Sequence, residues 1–168
     1  MEDMLSPYRI LDLTDERSHL TGLLLAQLGA EVIAVEPPSG STSRHIGPFA
    51  QDDENIENSL THWAWNRGKK SIIGGVAEIE LLAKTSDVVL DCGVFKDLNL
   101  GNLRSANPSL LTVTVSPFGA TGPKSNWLAT DLTLLASGGQ LGFTGDPDRA
   151  PIQIGGVPQG WLHAALEA

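Results

Sequence analysis

The chain has 168 residues, of which 41% are hydrophobic and 18% charged, a composition that predicts one globular domain rather than a disordered chain. Its formal net charge of −9, with eleven basic residues, argues against non-specific nucleic-acid binding, because such binding requires Lys and Arg to neutralise phosphates. No run reaches the roughly 18 consecutive apolar residues of a membrane span, and the start MEDMLSPYRI lacks the features of a secretory signal, so we expect a cytoplasmic protein with no membrane partner.

The first 36 residues predict a strand, a helix and a second strand. Residues 8–13 are short and β-rich, residues 18–28 repeat leucines at helical spacing, and residues 31–36 (EVIAVE) form another β-rich run. Ser18 is the expected N-cap of the helix and Gly29 its expected end. Two strands joined by a helix pair in parallel, through a right-handed crossover.

The rest of the chain continues the alternation. Residues 39–60 form a long polar stretch, and residues 66–73 carry the basic cluster NRGKK onto a short strand. Further helices are predicted at residues 76–84, 98–106, 131–137 and 158–168, and further strands at residues 87–90 and 110–116. Loops are predicted at residues 117–126 and 138–151. We therefore expect an α/β fold with a Rossmann-like parallel sheet and helices on both faces, in a single domain over residues 1–168. The chain ends inside the apolar helical run WLHAALEA, so we expect the domain to be incomplete there.

Cys92 is the single cysteine, at the end of the apolar run DVVLDC. One cysteine excludes a disulfide within the chain and a Cys-rich metal site. We expect a small buried side chain rather than a reactive thiol, because no histidine lies near it in sequence.

A dinucleotide-dependent oxidoreductase is disfavoured. Such a protein needs glycines between the first strand and the helix, where the backbone approaches the pyrophosphate. Here residues 14–22 contain one glycine, placed too late, and two carboxylates where an anion would lie. Glu36 ends the second strand, where a ribose-binding acid would be, but it is equally a solvated strand end.

Several segments, taken in order, resemble the N-terminal portion of the family III CoA-transferases, the group of formyl-CoA transferase and carnitine CoA-transferase. ILDLT and LLLAQLGAEVIAVEPP are similar to the family's first strand, helix and second strand, and TSDVVLDC is similar to its third strand. The other similar segments are SRHIGPF, NRGKKSI, NPSLLTVTVSPFGATGP and ATDLTLLASGGQLGFTGDPDRAP. Their order and spacing make the resemblance specific, and it extends over essentially the whole chain.

The resemblance implies a part of an enzyme that moves CoA between carboxylic acids, in chains that interlock as ring-shaped dimers. In this family an aspartate attacks the acyl-CoA thioester, because a carboxylate forms a mixed anhydride whose carbonyl accepts the CoA thiolate. Backbone N–H groups of glycines stabilise the oxyanion. The implied partners are acyl-CoA, a small carboxylic acid and a second chain of the same or another kind, and no metal is implied.

The nucleophile of the family is absent from its expected position. The family segment V-P-I-A-D-L-T-A-G aligns without a gap with residues 157–165, and the aspartate position holds Trp161, whose indole can neither attack a thioester nor carry CoA. Related racemases place a histidine where this chain has Thr130. Pro37 stands where the family often has a basic residue, and the Asn-Phe pair of the family is replaced by Cys92 and Gly93.

Five residues are candidates for binding CoA: Arg44, Lys69, Lys70, Gly138 and Gly139. The three basic side chains fit CoA phosphates, although a surface arginine and a solvated strand end explain them as well. The two glycines fit a loop that covers a thioester, although turn chemistry alone also explains them.

Asp131 is the candidate for a substitute nucleophile, although it also fits a cap of the helix that it begins. His163 is a possible base, but on a helix it points away from Trp161, which favours a structural role. Trp161 itself is expected to pack into the space that a substrate would have entered, or against a partner chain. Two functions remain open. The first is a component of a CoA-transferring enzyme whose nucleophile comes from a partner subunit, a missing C-terminal portion or Asp131, and the second is a non-catalytic scaffold that keeps the fold and the dimer surface.

Overall fold

The structure, a computed structural model, describes residues 4–153, 155–156 and 158–168. Its strands are β1 Arg9–Leu13, β2 Glu31–Glu36, β3 Lys70–Ile73, β4 Val88–Asp91 and β5 Leu111–Thr114. Its α-helices are α1 His19–Gln27, α2 Leu60–Asn66, α3 Val76–Ala83, α4 Leu100–Ala106, α5 Asp131–Ser137 and α6 Gln159–Glu167. Short 3-10 turns lie at Thr42–His45, Ala50–Asp52 and Gln140–Phe143.

The five strands form one parallel sheet in the order β3-β2-β1-β4-β5. Leu11 in the central strand lies opposite Ile33 of β2 and Val89 of β4. Each pair of strands that follow one another along the chain is separated by one helix, as parallel pairing requires. The predicted α/β class and parallel sheet are confirmed.

Helices cover both faces of the sheet because adjacent strand residues point to opposite sides. Leu11 and Leu13 belong to one buried cluster, which also contains Ile79 of α3 and Leu103 of α4. Ile10 belongs to a second cluster, against which residues of α1 pack. The doubly covered sheet explains why the strands contain nearly continuous apolar runs rather than strict alternation.

Helix α1 begins and ends where the sequence predicts. Ser18 is the N-cap residue, but its hydroxyl lies 3.2 Å from the Thr21 hydroxyl and makes no capping hydrogen bond. Gly29 follows the helix with φ of +99°, a left-handed conformation that glycine adopts without steric cost.

Helix α2 was not predicted. It lies between the polar stretch and the basic cluster, and Ser59 caps it by accepting a hydrogen bond from the His62 amide at 3.1 Å. The helix is only seven residues long and contains two tryptophans, so neither its periodicity nor its helix propensity stands out in the sequence.

Helices α5 and α6 pack against each other, and α6 also packs against α1. The Thr21 hydroxyl of α1 donates to the Ala165 carbonyl of α6 at 2.7 Å. Val157, the first residue of the segment that was aligned with the family's nucleophile, lies outside the described residues, as do residues 1–3 and Ile154.

Candidate functional site

A crevice lies at the carboxyl ends of β1 and β4. The strand order reverses between these two strands, because β2 and β3 lie on one side of β1 and β4 and β5 lie on the other. Ligands of open α/β sheets bind at such switch points. A cavity of about 210 Å³ occupies this position, between Asp15 after β1, Glu36 and Pro37 at the end of β2, and Val94 after β4. The topology therefore provides a candidate ligand site that none of the sequence motifs located on its own.

A buried ion pair joins β1 to the basic cluster that precedes β3. Lys69 Nζ lies 2.7 Å from Asp12 Oδ2, and both side chains are 1% exposed. The ammonium also donates to the His19 carbonyl at 3.0 Å and to Asn66 Oδ1 at 2.9 Å, which uses all three of its protons. Burial by itself raises the pKa of Asp12, but the Lys69 charge and its hydrogen bond hold that pKa below its usual value. The charge of Lys69 is thus neutralised within the chain.

Arg44 is held by carboxylates. Its Nε and Nη2 donate to Glu36 at 2.6 and 2.8 Å, and its Nη1 donates to Glu57 at 3.1 Å. Burial opposes the charge of Glu36, yet hydrogen bonds from Arg44, the Ser71 hydroxyl and the Ser41 amide lower the pKa of Glu36 to about 2. Glu36 is therefore a buried anion that fixes the loop after β2, and not a solvated strand end.

Three of the candidate CoA-binding residues, Arg44, Lys69 and Lys70, line one polar cavity of about 430 Å³. Arg67 adds a further positive charge, and Lys70, with a side chain 69% exposed, pairs with Glu31 at 2.6 Å. The remaining polar walls are His19, Glu36, Ser41, Glu57, His62, Asn66 and Ser71. Glu36 and Ser41 also line the switch-point cavity, so the two spaces share a wall.

Two histidines flank a buried serine in this wall. The Ser43 hydroxyl lies 3.1 Å from His19 Nε2 and 2.7 Å from His62 Nδ1, and the two rings meet edge to face. Burial, reinforced by the nearby Lys69 charge, lowers the pKa of His19 to about 4. His19 is consequently neutral at pH 7. No local sequence signal indicates this cluster, because Ser43 is 24 residues from His19 and 19 residues from His62.

Trp161 packs inside the chain. The residue is 7% exposed, and the guanidinium carbon of Arg17 lies 5.5 Å from the centroid of its ring. Arg17 is in turn fixed by Asp15, with its Nε 2.8 and 2.9 Å from the two carboxylate oxygens, and its Nη2 donates to the Cys92 carbonyl at 3.1 Å. This stack links the loops after β1 and β4 to helix α6 at the switch point.

A third cavity, of about 330 Å³, is lined by both members of this stack. Trp161 and Trp65 form part of its walls, together with Arg17 and Glu16. Asp15 lines the switch-point cavity while its neighbours Glu16 and Arg17 line this one, so the loop after β1 separates the two.

Asp131 caps a helix, but not the one that it begins. Thr130 caps α5 by accepting from the Thr133 amide at 3.3 Å. The Asp131 carboxylate accepts from the amides of Gln159 at 3.1 Å, Gly160 at 2.7 Å and Trp161 at 3.2 Å, at the start of α6. The expectation that it caps α5 was wrong, because the fold brings the exposed donors of α6 to its carboxylate.

The candidates Gly138, Gly139 and His163 do not line the cavity that contains Arg44, Lys69 and Lys70. Gly138 ends α5, and Gly139 follows with φ of +80°. Gly138 and His163 line a cavity of about 210 Å³ that Trp161 also lines, and His163 Nδ1 lies 3.4 Å from Gln140 Nε2.

Cys92 is buried, and burial raises the pKa of its thiol, as expected for an unreactive side chain. Within residues 4–153, 155–156 and 158–168, no group of three or more His, Cys, Asp or Glu side chains is placed to hold a metal ion. No helix in the same ranges is long and apolar enough to cross a membrane.

Comparison with known proteins identifies a family over nearly the whole chain. The family model for CoA-transferase family III matches residues 5–168. A succinate–glutarate CoA-transferase of Agrobacterium fabrum is 36% identical over 149 residues, which cover 80% of this chain and 37% of the relative. The BbsE subunit of the succinyl-CoA:(R)-benzylsuccinate CoA-transferase of Thauera aromatica is 33% identical over 161 residues, which cover 87% of this chain and 39% of the relative.

Solved structures agree. A CaiB/BaiF family protein from Brucella suis superposes with a TM-score of 0.86 at 27% identity, covering 99% of this chain and 48% of that one. A hypothetical protein from Mycobacterium tuberculosis gives a TM-score of 0.78 at 30% identity, covering 96% of this chain and 48% of that one. The chain thus spans less than half the length of these relatives and structures.

Proposed function

The chain belongs to CoA-transferase family III, and on this premise we propose that it is the CoA-binding component of an enzyme that moves CoA between carboxylic acids. The observation that carries the proposal is the family match over residues 5–168, together with a ligand crevice at the switch point of the same sheet. The relatives named as a succinate–glutarate CoA-transferase and as a subunit of a succinyl-CoA:(R)-benzylsuccinate CoA-transferase support the reaction class.

CoA binds, in this proposal, at the carboxyl edge of β1 and β2. The nucleotide half occupies the crevice beside Glu36 and Pro37, and its phosphates reach toward the basic side of the 430 Å³ cavity. A chain with a net charge of −9 needs such a local cluster to attract a phosphorylated ligand.

The three basic candidates, Arg44, Lys69 and Lys70, have different roles in the proposed CoA site. Lys70 is exposed and held only by a surface ion pair, so its charge is available to a phosphate. Arg44 and Lys69 act by holding the walls, because Glu36 and Asp12 already neutralise them. Gly138 and Gly139 form the turn that lies over the thioester end.

The nucleophile comes from outside the described residues. Trp161 cannot attack a thioester, and the carboxylate of Asp131 is occupied by three amides of α6. A partner subunit that carries the missing nucleophile, acting in the cytoplasm, supplies the attacking carboxylate. The relative from Thauera aromatica is itself named as a subunit, which is consistent with a shared site.

A non-catalytic scaffold is the second candidate. It is favoured by the Trp161–Arg17 stack, which fills space beside the switch point with a packed side chain instead of a reactive one. The two candidates differ in one property, because the scaffold needs no affinity for CoA.

Isothermal titration of the purified chain, at known oligomeric state, tests the proposal. We expect micromolar affinity for CoA and acetyl-CoA, and weaker binding of pantetheine, which lacks the nucleotide. Lys70→Gln weakens CoA binding, whereas the matched change Lys84→Gln, on a lysine that lines neither cavity, does not. Absence of CoA binding up to millimolar concentration would contradict the proposal and favour the non-catalytic scaffold.

A further inference from the structure

The 330 Å³ cavity beside Trp161 has a different character from the polar cavity that contains Lys69. Its volume is at the small end for ligand sites, which suits a small molecule or one end of a larger one. Its walls are mostly apolar: Leu20, Ile46, Pro48, Trp65, Pro158, Trp161 and Leu162. An apolar group placed here loses contact with water and gains two indoles as neighbours.

The polar groups of the cavity are largely occupied. The Thr61 hydroxyl donates to the Gly47 carbonyl at 2.8 Å, and Glu16 accepts from the Thr42 hydroxyl. Arg17 uses its Nε and Nη2 on Asp15 and Cys92, and over the described ranges its Nη1 has no hydrogen-bond partner. The cavity therefore offers one charged donor and a large apolar surface.

Three ligand classes fit poorly. An organic cation would compete with Arg17, which already lies over the Trp161 ring. A small dicarboxylate would place its second charge on apolar walls or beside Glu16. A very small acid would leave the two indoles facing water.

We propose that this cavity receives the aromatic or branched aliphatic body of the carboxylic acid, or of the acyl group, that exchanges CoA. The acid's oxygen meets Arg17 Nη1, and Trp65 is the residue that sets the preference for an apolar body. The inference rests on the proposed function, since it names the substrate class of the same site.

Trp63 provides a matched control for Trp65. The two tryptophans lie two residues apart on α2, but Trp63 lines the polar cavity, and its Nε1 donates to the Glu57 carbonyl at 2.9 Å. A change at either position removes one indole from the same short helix. Only a change at Trp65 alters the apolar cavity.

The first test compares phenylacetyl-CoA with acetyl-CoA by isothermal titration of the purified chain. We expect phenylacetyl-CoA to bind at least tenfold more tightly, and Trp65→Leu to reduce that ratio toward one while Trp63→Leu leaves it unchanged. Equal affinities for the two thioesters, or equal effects of the two variants, overturn the inference while CoA binding itself leaves the proposed function standing.

The second test needs no CoA. The chain contains four tryptophans, so 5-fluorotryptophan labelling gives four ¹⁹F NMR signals that single substitutions assign. Phenylacetate is expected to shift the signals of Trp65 and Trp161 but not that of Trp127, which does not line the cavity, and oxalate is expected to shift none of them. Absence of any shift at Trp65 overturns the inference, whether or not CoA binds.

Discussion

Replacing Lys69 by methionine is expected to lower the free energy of unfolding strongly, because it removes one charge of a buried ion pair. Lys69 and Asp12 are each 1% exposed and 2.7 Å apart, so Lys69→Met leaves a buried carboxylate without its cation. Loss of one partner of such a pair costs about 3–5 kcal/mol, a large part of the roughly 5–15 kcal/mol by which domains are stable. Lys70 next to it is 69% exposed, and Lys70→Met should cost less than about 1 kcal/mol.

Urea unfolding at pH 7, followed by circular dichroism, measures both variants. If Lys69→Met does not fold, the double variant Asp12→Asn, Lys69→Met should recover structure, because the buried charge is then gone. Equal losses for the Lys69 and Lys70 variants, or a loss below about 1 kcal/mol at Lys69, would refute the structural role assigned to this lysine.

Three further predictions concern stability. His19 has a folded pKa of about 4 against 6.5 when unfolded, so the unfolded chain binds the proton first as the pH falls. The contribution of His19 is intact above pH 6.5 and falls by up to about 3 kcal/mol between pH 6.5 and 4. Burial also lowers the pKa of His62, which adds to the same slope, so His19→Gln should reduce the slope in urea melts without abolishing it. Gly22→Ala places a Cβ that overlaps Asp12 Oδ2 and should cost about 1–3 kcal/mol, whereas Gly142→Ala, with no atom within 4 Å of its Cβ, should be near neutral by thermal unfolding. Asp131→Ala removes the acceptor of three α6 amides and should cost about 1–2 kcal/mol with CoA affinity unchanged; a loss of CoA affinity at unchanged stability would instead make Asp131 part of the site.

The sheet could be predicted because its signals are local. Runs such as EVIAVE are buried on both faces, and Gly29 ends α1 with the left-handed conformation that its position demands. Helix α2 could not be predicted from the sequence, because the helical signal is weak over seven residues and tertiary contacts stabilise the helix.

The candidate site could be predicted only in part. The basic run containing Lys69 and Lys70 is visible in the sequence, but Lys69 is buried against Asp12, 57 residues away, whereas Lys70 is exposed beside Glu31. Asp131 shows the same limit, because its partners lie 28 to 30 residues further along the chain. Sequence spacing shows which charges exist, and the fold decides which of them remain available to a ligand.

We have proposed that CoA binds at the carboxyl edge of the sheet, although position 161 holds a tryptophan. Hydrogen–deuterium exchange of the chain with and without saturating CoA tests it most directly, since it reports binding and location together. We expect protection in residues 14–18, 37–45 and 92–95, around the switch-point cavity. Unchanged exchange in those segments, or protection confined to other parts of the chain, would contradict it.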